Sequence, residues 1–406
     1  MEKVGFGTLN WIVLVLYLLA MLAVGAYFTK KASKNTDSFF TAEGKIPAWA
    51  AGFSIYATTL SAITFMSTPE QAFLNDWAYS IGNLAIIAII PILVKYYVPF
   101  FRKLKVPTAY GYLEERFGPV MRILGSLLFM LYHIARVAIV IYLPIIAITS
   151  VSDINPIIIA LFVGALLVII LGAHYIDGGW ATVASDAITH HKLISGFDMK
   201  ISDLSKFLPL IFAGQFFNSL YQYTGSQDVV QRYQTTATME ETKKSLWTNG
   251  ILAFITIPIF YGMGTVLFSF YNHAAMLPKG FNTSAVVPYF IVTKLPAGIA
   301  GLVIAAIFAA AQSTIASSLN AISSCGIVDF KQRFFNDKFK NVSDVALARW
   351  IIIISGLFSL AVAIYLLVGN TSETWNLFLA VTGLFGVFIA GIFAAGIFTE
   401  KANTVS

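Results

Sequence analysis

The chain has 406 residues, of which 58% are hydrophobic and only 11% are charged, and its mean hydropathy is +0.77. A soluble domain of ordinary design cannot keep so much apolar surface from water. The net charge of +6 would suggest a nucleic-acid partner in a soluble protein. Here the basic residues gather in short loops between apolar stretches, where they indicate orientation in a membrane. The single cysteine, Cys325, excludes an intramolecular disulfide.

Apolar stretches of about twenty residues or more recur along the chain, and each is long enough to cross a bilayer core. The sequence therefore predicts an all-α polytopic membrane protein that has the lipid bilayer as a partner and binds no nucleic acid. The predicted spans cover residues 9–28, 48–67, 77–101, 120–150, 157–176, 208–224, 246–270, 298–324, 350–368 and 375–398.

Basic residues orient the two halves of the chain independently, because they prefer the cytoplasmic side. Arg102–Lys105 places the end of the third span inside, and alternation then brings the end of the fifth span, Ile176, inside as well. In the second half, Glu240–Lys244 and Lys331–Arg333 lie inside, so the sixth span must begin outside. The polar segment 177–207 is not a span, and one crossing is therefore missing.

The second span carries several hydroxyl side chains near its middle, in Ser54–Thr64. In a helix interrupted inside the membrane, the freed backbone carbonyls must be met by an ion or a substrate. The alternative is an unbroken helix whose hydroxyls bond to carbonyls one turn earlier. The sixth span has the same character, since Asn218, Gln222 and Gly225 interrupt its aromatic residues. Two such segments, one in each half, indicate a transporter with inverted repeats.

A run of small residues and hydroxyls, residues 309–320, lies inside the apolar eighth span. Ser313 and Ser317 are one helical turn apart, as are Thr314 and Ser318, so each pair shares a face. Two interpretations are open. The run either packs helices closely through small residues or provides oxygen ligands for a small, hard cation.

Arg136 lies near the middle of the fourth span. Burying a guanidinium in a bilayer costs about 2.5 kcal/mol or more, so it must face a cavity or a partner. Its forked donors match a carboxylate. No Asp or Glu lies in the core of a predicted span, which favours an anionic substrate over a permanent pair with a protein carboxylate. We interpret His133, one turn earlier, as a packed, hydrogen-bonded histidine.

No sequence pattern indicates hydrolytic or redox chemistry. The chain has no glycine-rich phosphate loop and no His or Cys spacing typical of a metal site. The pair His190 and His191 falls in the polar segment, where a solvated face is the simpler interpretation. We therefore expect a carrier and not an enzyme. An ion channel fits less well, because the polar residues converge on two points and do not line a path.

Three motifs together resemble the sodium:solute symporter family: Ser54–Thr64, GSQDVVQRY at residues 225–233, and AAIFAAAQSTIASSLN at residues 305–320. Within that family the chain looks most like bacterial sodium/sialic acid symporters, through residues 57–61, 113–117 and 129–136. The resemblance implies sodium-coupled import of an acidic sugar, sialic acid (N-acetylneuraminate), by alternating access. It also implies five plus five helices in inverted repeats, with an extra N-terminal helix at 8–29, a first repeat at 47–176 and a second at 208–398.

The resemblance further implies two sets of site residues, carried over by position. The Na⁺ site would use the carbonyls of Ala57, Leu60 and Ala310 and the hydroxyls of Ser313 and Thr314. The substrate pocket would be formed by Thr59, Ser61, Thr64, Asn83 and Arg136, with an aromatic ring from Tyr79 or Phe217. In it, Arg136 would hold the carboxylate of the sugar acid. Asn83 stands where such transporters often have Gln.

The family places about two helices' worth of sequence where this chain has only the span 157–176, and its members continue past Phe398. We therefore expect the fifth helix of the first repeat and the C-terminal helices to be missing. One hypothesis is that these 406 residues no longer transport and are a remnant. Another is a sodium-coupled carrier of a different small solute, such as proline or a monosaccharide. In either case we expect a monomer in the bacterial cell membrane.

Overall fold

The computed structural model describes residues 5–32, 44–103, 108–151, 158–193, 207–335, 342–368 and 374–399. Lys338, Lys340 and part of the polar segment, residues 194–206, lie outside the described residues. The helices are, in chain order, α1 (Thr8–Ala32), α2 (Ala48–Thr59), α3 (Ala62–Leu74), α4 (Ser80–Lys103), α5 (Tyr110–Phe117), α6 (Pro119–Val151), α7 (Ile158–His174), α8 (Gly179–Thr189), α9 (Leu208–Thr224), α10 (Gln227–Val230), α11 (Met239–His273), α12 (Val286–Lys294), α13 (Ile299–Phe334), α14 (Asp344–Val368) and α15 (Thr374–Phe398).

Six of the described helices are long and apolar enough to cross a membrane, namely α4, α6, α11, α13, α14 and α15. The last part of α7 and the whole of α8 pass the same test as one broken span, bent by 99°. The all-α polytopic class predicted from composition is therefore confirmed.

The break predicted in the second span is present between α2 and α3. Leu60 and Ser61 have extended backbone there, so the helix stops and restarts. Ser61 and Thr64 form a capping box that starts α3. Because the helix does not continue past Thr59, the last carbonyls of α2 lack intrahelical partners and are available to a ligand.

The sixth span is interrupted as well. α9 ends at Thr224, Ser226 is extended, and the chain resumes in the four-residue α10 and a 3-10 turn, Gln231–Gln234. Gly225 fits the break because a Cβ at this position would lie 2.8 Å from Ile389 of α15. The chain therefore turns inside the helix bundle after α9, and the residues of α10 are buried.

The end of α7 lies beside the end of α11. The Tyr175 hydroxyl donates to the Lys294 carbonyl at 3.3 Å, and its ring centroid is 6.3 Å from that of Phe270 in the last turn of α11. Since α11 begins next to the cytoplasmic cluster Glu240–Lys244, this face is the outer one. The prediction that the fifth span ends inside is therefore wrong. No basic loop follows Ile176. The direction of the fifth span had been predicted only from the alternation of the preceding spans.

α8 and the start of α9 lie on the same outer face. Lys192, just after α8, donates to the carbonyls of Phe73 and Asn75 at the end of α3, at 2.7 and 3.0 Å. Leu208, at the start of α9, packs with Ala78, which precedes α4. No crossing is therefore required between the end of α7 and the start of α9. The missing crossing lies earlier instead, because α6 begins inside and leaves the cytoplasm, whereas α7, the next helix, also ends outside.

α3 and α11 approach each other closely at Gly264. A Cβ at this position would lie 2.2 Å from the Pro69 carbonyl oxygen and 2.7 Å from the Ala72 Cβ. We expect Gly264→Ala to lower the free energy of unfolding by about 1–3 kcal/mol, because backbone must shift to admit the methyl group. The matched control is Gly262→Ala, whose nearest neighbour is Trp77 at 4.0 Å. Thermal unfolding in detergent checks the pair, and equal melting temperatures would contradict the close contact.

Candidate functional site

The five groups predicted for sodium lie together, where the break between α2 and α3 faces the small-residue run of α13. The Ser313 hydroxyl donates to the carbonyls of Ala57 and Ala310, at 2.8 and 2.9 Å. The Thr314 hydroxyl donates to the carbonyls of Leu60 and Ala310, at 3.4 and 3.2 Å. We call these three carbonyl and two hydroxyl oxygens the oxygen cluster. The run of α13 thus both packs closely on α2 and collects oxygens.

The chemistry of the oxygen cluster suits a small cation of single charge. It contains neutral hard oxygens and no carboxylate, whereas sites for Ca²⁺ and Mg²⁺ normally include carboxylates. The hydroxyl protons can rotate away, so both hydroxyl oxygens can present lone pairs to a cation. Thr314 is fully buried, which keeps water from competing for the same oxygens. The donor set therefore fits Na⁺.

A cavity of about 120 Å³ lies beside the oxygen cluster and is lined by side chains from several helices. Leu60 belongs to its wall, and the Leu60 carbonyl belongs to the cluster, so a bound ion and a bound solute would be neighbours. The cavity is lined by five residues of the predicted substrate pocket, namely Thr59, Ser61, Thr64, Asn83 and Arg136.

The two aromatic candidates behave differently. Tyr79 lines a second cavity of about 280 Å³, which shares Gln215 and Asn218 with the first. Phe217 lines neither cavity, and 53% of it is exposed. Residues two positions apart on a helix lie on nearly opposite faces. Because Gln215 lines the cavities, Phe217 points away from them. Of the two aromatic candidates, Tyr79 or Phe217, only Tyr79 therefore lies beside a cavity, and an aromatic contact to the substrate stays a prediction.

A polar stripe on α9 was missed as part of the substrate pocket. Its members are spaced by three and four residues, as one face of a helix requires. This spacing is visible in the sequence and could have indicated the stripe. Two tyrosines also line the cavity, Tyr56 and Tyr132. The stripe consists of Gln215, Asn218, Ser219 and Gln222.

Arg136 is almost fully buried, at 2% exposure, and has protein partners. Its Nη1 donates to Asp228 Oδ2 at 3.3 Å, and its Nη2 donates to the Thr58 carbonyl at 2.9 Å. Its Nε has no hydrogen-bond partner among the described residues. The expectation that no protein carboxylate reaches Arg136 is therefore wrong. The break after α9 keeps α10 inside the bundle and brings Asp228 to this depth.

Asp228 is the centre of a buried polar network. The Ser226 hydroxyl donates to its Oδ1 at 2.5 Å, and His133 Nε2 lies 3.8 Å from the same oxygen. Arg232 donates to the Asp228 backbone carbonyl and, through Nε, to the Ser54 hydroxyl at 2.9 Å. One guanidinium therefore pairs with the Asp228 carboxylate, and a second binds its backbone carbonyl, in the middle of the helix bundle.

α13 joins this network to the oxygen cluster. Ser317, one turn after the first hydroxyl of the cluster, accepts from Arg232 Nη2 at 2.8 Å and lies 3.2 Å from the Thr58 hydroxyl. Ser318 lies 2.8 Å from His133 Nδ1, and the other ring nitrogen is 3.1 Å from the Ser226 hydroxyl. The interpretation of His133 as a packed, hydrogen-bonded histidine is confirmed.

The family model described as "Sodium:solute symporter family" matches residues 39–196 and 146–405. The chain belongs to the sodium:solute symporter family. The sodium/sialic acid symporter NanT of Aliivibrio fischeri (strain ATCC 700601 / ES114) is 40% identical over 436 positions, which cover 100% of this chain and 86% of that protein. The sodium/sialic acid symporter SiaT of Proteus mirabilis (strain HI4320) is also 40% identical, over 100% of this chain and 88% of that protein.

The fold of this symporter-family chain is shared with a solved structure, described as the substrate-bound outward-open state of a Na⁺-coupled sialic acid symporter. The two chains are 40% identical and superpose with a TM-score of 0.89, over 99% of this chain and 89% of the other. The human sodium-coupled monocarboxylate transporter 1 is a more distant relative, 26% identical over 82% of this chain and 60% of that protein. The family and the fold class expected from the motifs are thereby confirmed.

The alignments with the two bacterial relatives are longer than the chain itself, 436 positions against 406 residues. Each of these symporters therefore carries residues that have no counterpart inside the aligned part of this chain. The family model is also matched in two pieces that both include residues 146–196. The absence of the fifth helix of the first repeat stays a prediction.

Proposed function

We propose that this protein is a sodium-coupled importer of sialic acid that works by alternating access, as a monomer in a bacterial cell membrane. The observation that carries the proposal is the shared wall at Leu60, where the oxygen cluster meets a polar cavity that holds a guanidinium. The names of the two bacterial relatives and of the solved structure support both the ion and the solute.

In this mechanism Na⁺ binds at the oxygen cluster and draws the end of α2 and the start of α3 against α13. Thr59, Ser61 and Thr64 belong to the same interrupted segment and line the cavity. Ordering that segment by an ion lowers the cost of ordering it for a solute. The coupling is reciprocal, so the solute also raises the affinity for Na⁺.

The substrate would be held at two ends. Arg136 pairs with the carboxylate, because a guanidinium is matched to it in both charge and geometry. Asn83 and the polar stripe on α9 offer amide and hydroxyl groups to the sugar hydroxyls. The second cavity, which shares two residues of that stripe, gives room for the remainder of a nine-carbon sugar acid, with Tyr79 beside it.

A second candidate function is binding without transport. It is favoured by the alignments that are longer than the chain, if the lost positions formed the fifth helix of the first repeat. Such a protein would keep the oxygen cluster and Arg136, since α2, α3, α6 and α13 supply them. It would bind Na⁺ and sialic acid but would not carry them across the bilayer.

The proposal is tested by thermal stabilisation of the purified chain in detergent, because a ligand that binds the folded state raises the melting temperature. We expect N-acetylneuraminate to stabilise the protein in NaCl and to have little effect in KCl of the same ionic strength. The methyl ester of the sugar, which lacks the negative charge, should stabilise it far less. Stabilisation by proline or by a neutral monosaccharide, with none by the acid, would overturn the proposed substrate.

A further inference from the structure

We propose that Asp228 is a positioning residue that occupies Arg136 in place of the substrate carboxylate and thereby sets the affinity for acidic solutes. The inference rests on the proposed function, since it assumes that Arg136 receives an anionic substrate. It assigns Asp228 a part in substrate exchange, in addition to its structural contacts.

The charges around Arg136 leave room for an anion. Arg136 donates to the Asp228 carboxylate, and Arg232 donates to the backbone carbonyl of the same residue. Among the described residues, no second carboxylate lies within ion-pair distance of either guanidinium. With a neutral His133, the group of three carries one excess positive charge inside the helix bundle. A Na⁺ in the neighbouring oxygen cluster adds another, so an incoming carboxylate is the natural counter-charge.

The geometry of the pair makes Asp228 a replaceable partner. Its contact with Arg136 is a single bond of 3.3 Å, longer than the roughly 2.7–2.9 Å of a strong charge-assisted bond. The Ser226 hydroxyl holds the other carboxylate oxygen at the much shorter 2.5 Å. If Arg136 turned to a substrate, Asp228 would therefore keep Ser226 and the charge of Arg232.

The unused donor offers the substrate a contact of its own, on the Nε and Nη2 edge, where Nη2 donates to the Thr58 carbonyl. Arg136 Nε is buried and has no hydrogen-bond partner in the part of the chain that the structure describes. A buried donor without a partner is costly, and a carboxylate that binds two nitrogens of one guanidinium edge removes that cost. Asp228 reaches only Nη1. The Arg136 guanidinium is thus incompletely paired without substrate. Arg136 lines the cavity, where a substrate carboxylate could complete the pairing.

Two carboxylates beside one guanidinium repel each other, so Asp228 weakens the hold on an acidic solute. The same repulsion helps release, because Asp228 can take Arg136 back as the substrate leaves. Affinity and exchange rate should therefore change in opposite directions when this charge is removed. A purely structural aspartate would instead weaken binding of charged and neutral solutes alike when replaced.

The decisive variant is Asp228→Asn, which keeps the shape and an acceptor oxygen for Arg136. We expect its dissociation constant for N-acetylneuraminate in NaCl to fall on the order of tenfold, because a repulsive charge close to the substrate is lost. The dissociation rate of the acid should fall with it. The affinity for the uncharged methyl ester should change by less than about twofold. Isothermal titration and rapid-filtration chase on the full chain measure these values.

A second variant, Ser226→Ala, tests the same inference if Asp228→Asn does not fold. Without the Ser226 hydroxyl, Arg136 is the one described residue that still donates a hydrogen bond to the Asp228 carboxylate. The pair should tighten, and the affinity for N-acetylneuraminate should fall several-fold while that for the methyl ester is retained. The two variants are therefore expected to move the acid affinity in opposite directions.

The failures of the inference and of the proposed function look different. If the wild-type chain does not prefer N-acetylneuraminate over its methyl ester, the proposed function fails and the inference falls with it. If the wild type shows that preference but Asp228→Asn binds the acid equally or more weakly, the inference alone is overturned. An equal loss for acid and ester in Ser226→Ala would also overturn it.

Discussion

Replacing Arg136 by glutamine is expected to weaken the binding of N-acetylneuraminate by about 30-fold or more. Truncating one partner of a buried, hydrogen-bonded charge pair costs about 2–5 kcal/mol, and every 1.4 kcal/mol is tenfold in affinity. The methyl ester, which offers no negative charge, should lose much less. Titration calorimetry in NaCl with the acid and its ester measures both losses on the same protein.

Arg136→Gln alone leaves Asp228 buried without its guanidinium partner, which is itself destabilising. The matched control is the double variant Arg136→Gln with Asp228→Asn, which removes both charges from a pair that is 3.3 Å apart. We expect the double variant to recover thermal stability but not the affinity for the acid. Wild-type affinity for N-acetylneuraminate in the double variant would show that Arg136 does not hold the carboxylate.

Replacing Ser313 by alanine is expected to weaken the binding of Na⁺ on the order of tenfold. The variant removes the hydroxyl that contacts the carbonyls of Ala57 and Ala310, and one lost polar contact in a buried site costs about 1–3 kcal/mol. By reciprocity, the solute affinity at a fixed low Na⁺ concentration should fall too, and high Na⁺ should restore it. The concentration of Na⁺ that gives half-maximal stabilisation is the measured quantity.

Ser323→Ala is the matched control for this prediction. Ser323 lies on the same helix and is buried, and its hydroxyl bonds within the helix to the Asn320 carbonyl at 2.8 Å. The Ser323→Ala variant also loses a hydroxyl, but Ser323 does not belong to the oxygen cluster. The Na⁺ dependence of this variant should therefore match that of the wild type. An unchanged Na⁺ dependence in Ser313→Ala would contradict the assignment of the cluster as the sodium site.

The two helix breaks could be predicted from the sequence because polar groups in a lipid environment must be satisfied. Hydroxyls at Ser54–Thr64 and the Asn218, Gln222 and Gly225 pattern each marked an interruption, and both are present. The sodium ligands and five of the pocket residues carried over from the family motifs then converge, since their positions follow from those breaks. Their convergence depends on α13 crossing the α2–α3 break, which the motif at residues 305–320 implied.

The partner of Arg136 could not be predicted in the same way. Asp228 follows the sixth predicted span, 208–224, and therefore did not count among the residues in the core of a span. Its position depends on the turn at Gly225 and Ser226, which sends α10 back among the other helices. The choice between the two aromatic candidates similarly depended on the rotation of α9 about its axis. The polar stripe faces the cavity, so Phe217 lies on the exposed side of the helix.

The direction of the fifth span was wrong for a different reason. Orientation follows the bias of basic residues in loops, and the segment after Ile176 begins with few charges. Contacts of Tyr175 with Lys294 and Phe270 fix the end of α7 instead. Such contacts join residues far apart in the chain, so no local pattern reports them.

The most direct test of coupled import is uptake of radiolabelled N-acetylneuraminate by liposomes that contain this chain. We predict accumulation above the outside concentration when Na⁺ is high outside and low inside, and none when K⁺ replaces Na⁺ or when the sodium gradient is collapsed. Labelled sugar that binds the purified protein but never accumulates in the liposomes would contradict the account, and would mean that the chain binds its ligands without carrying them.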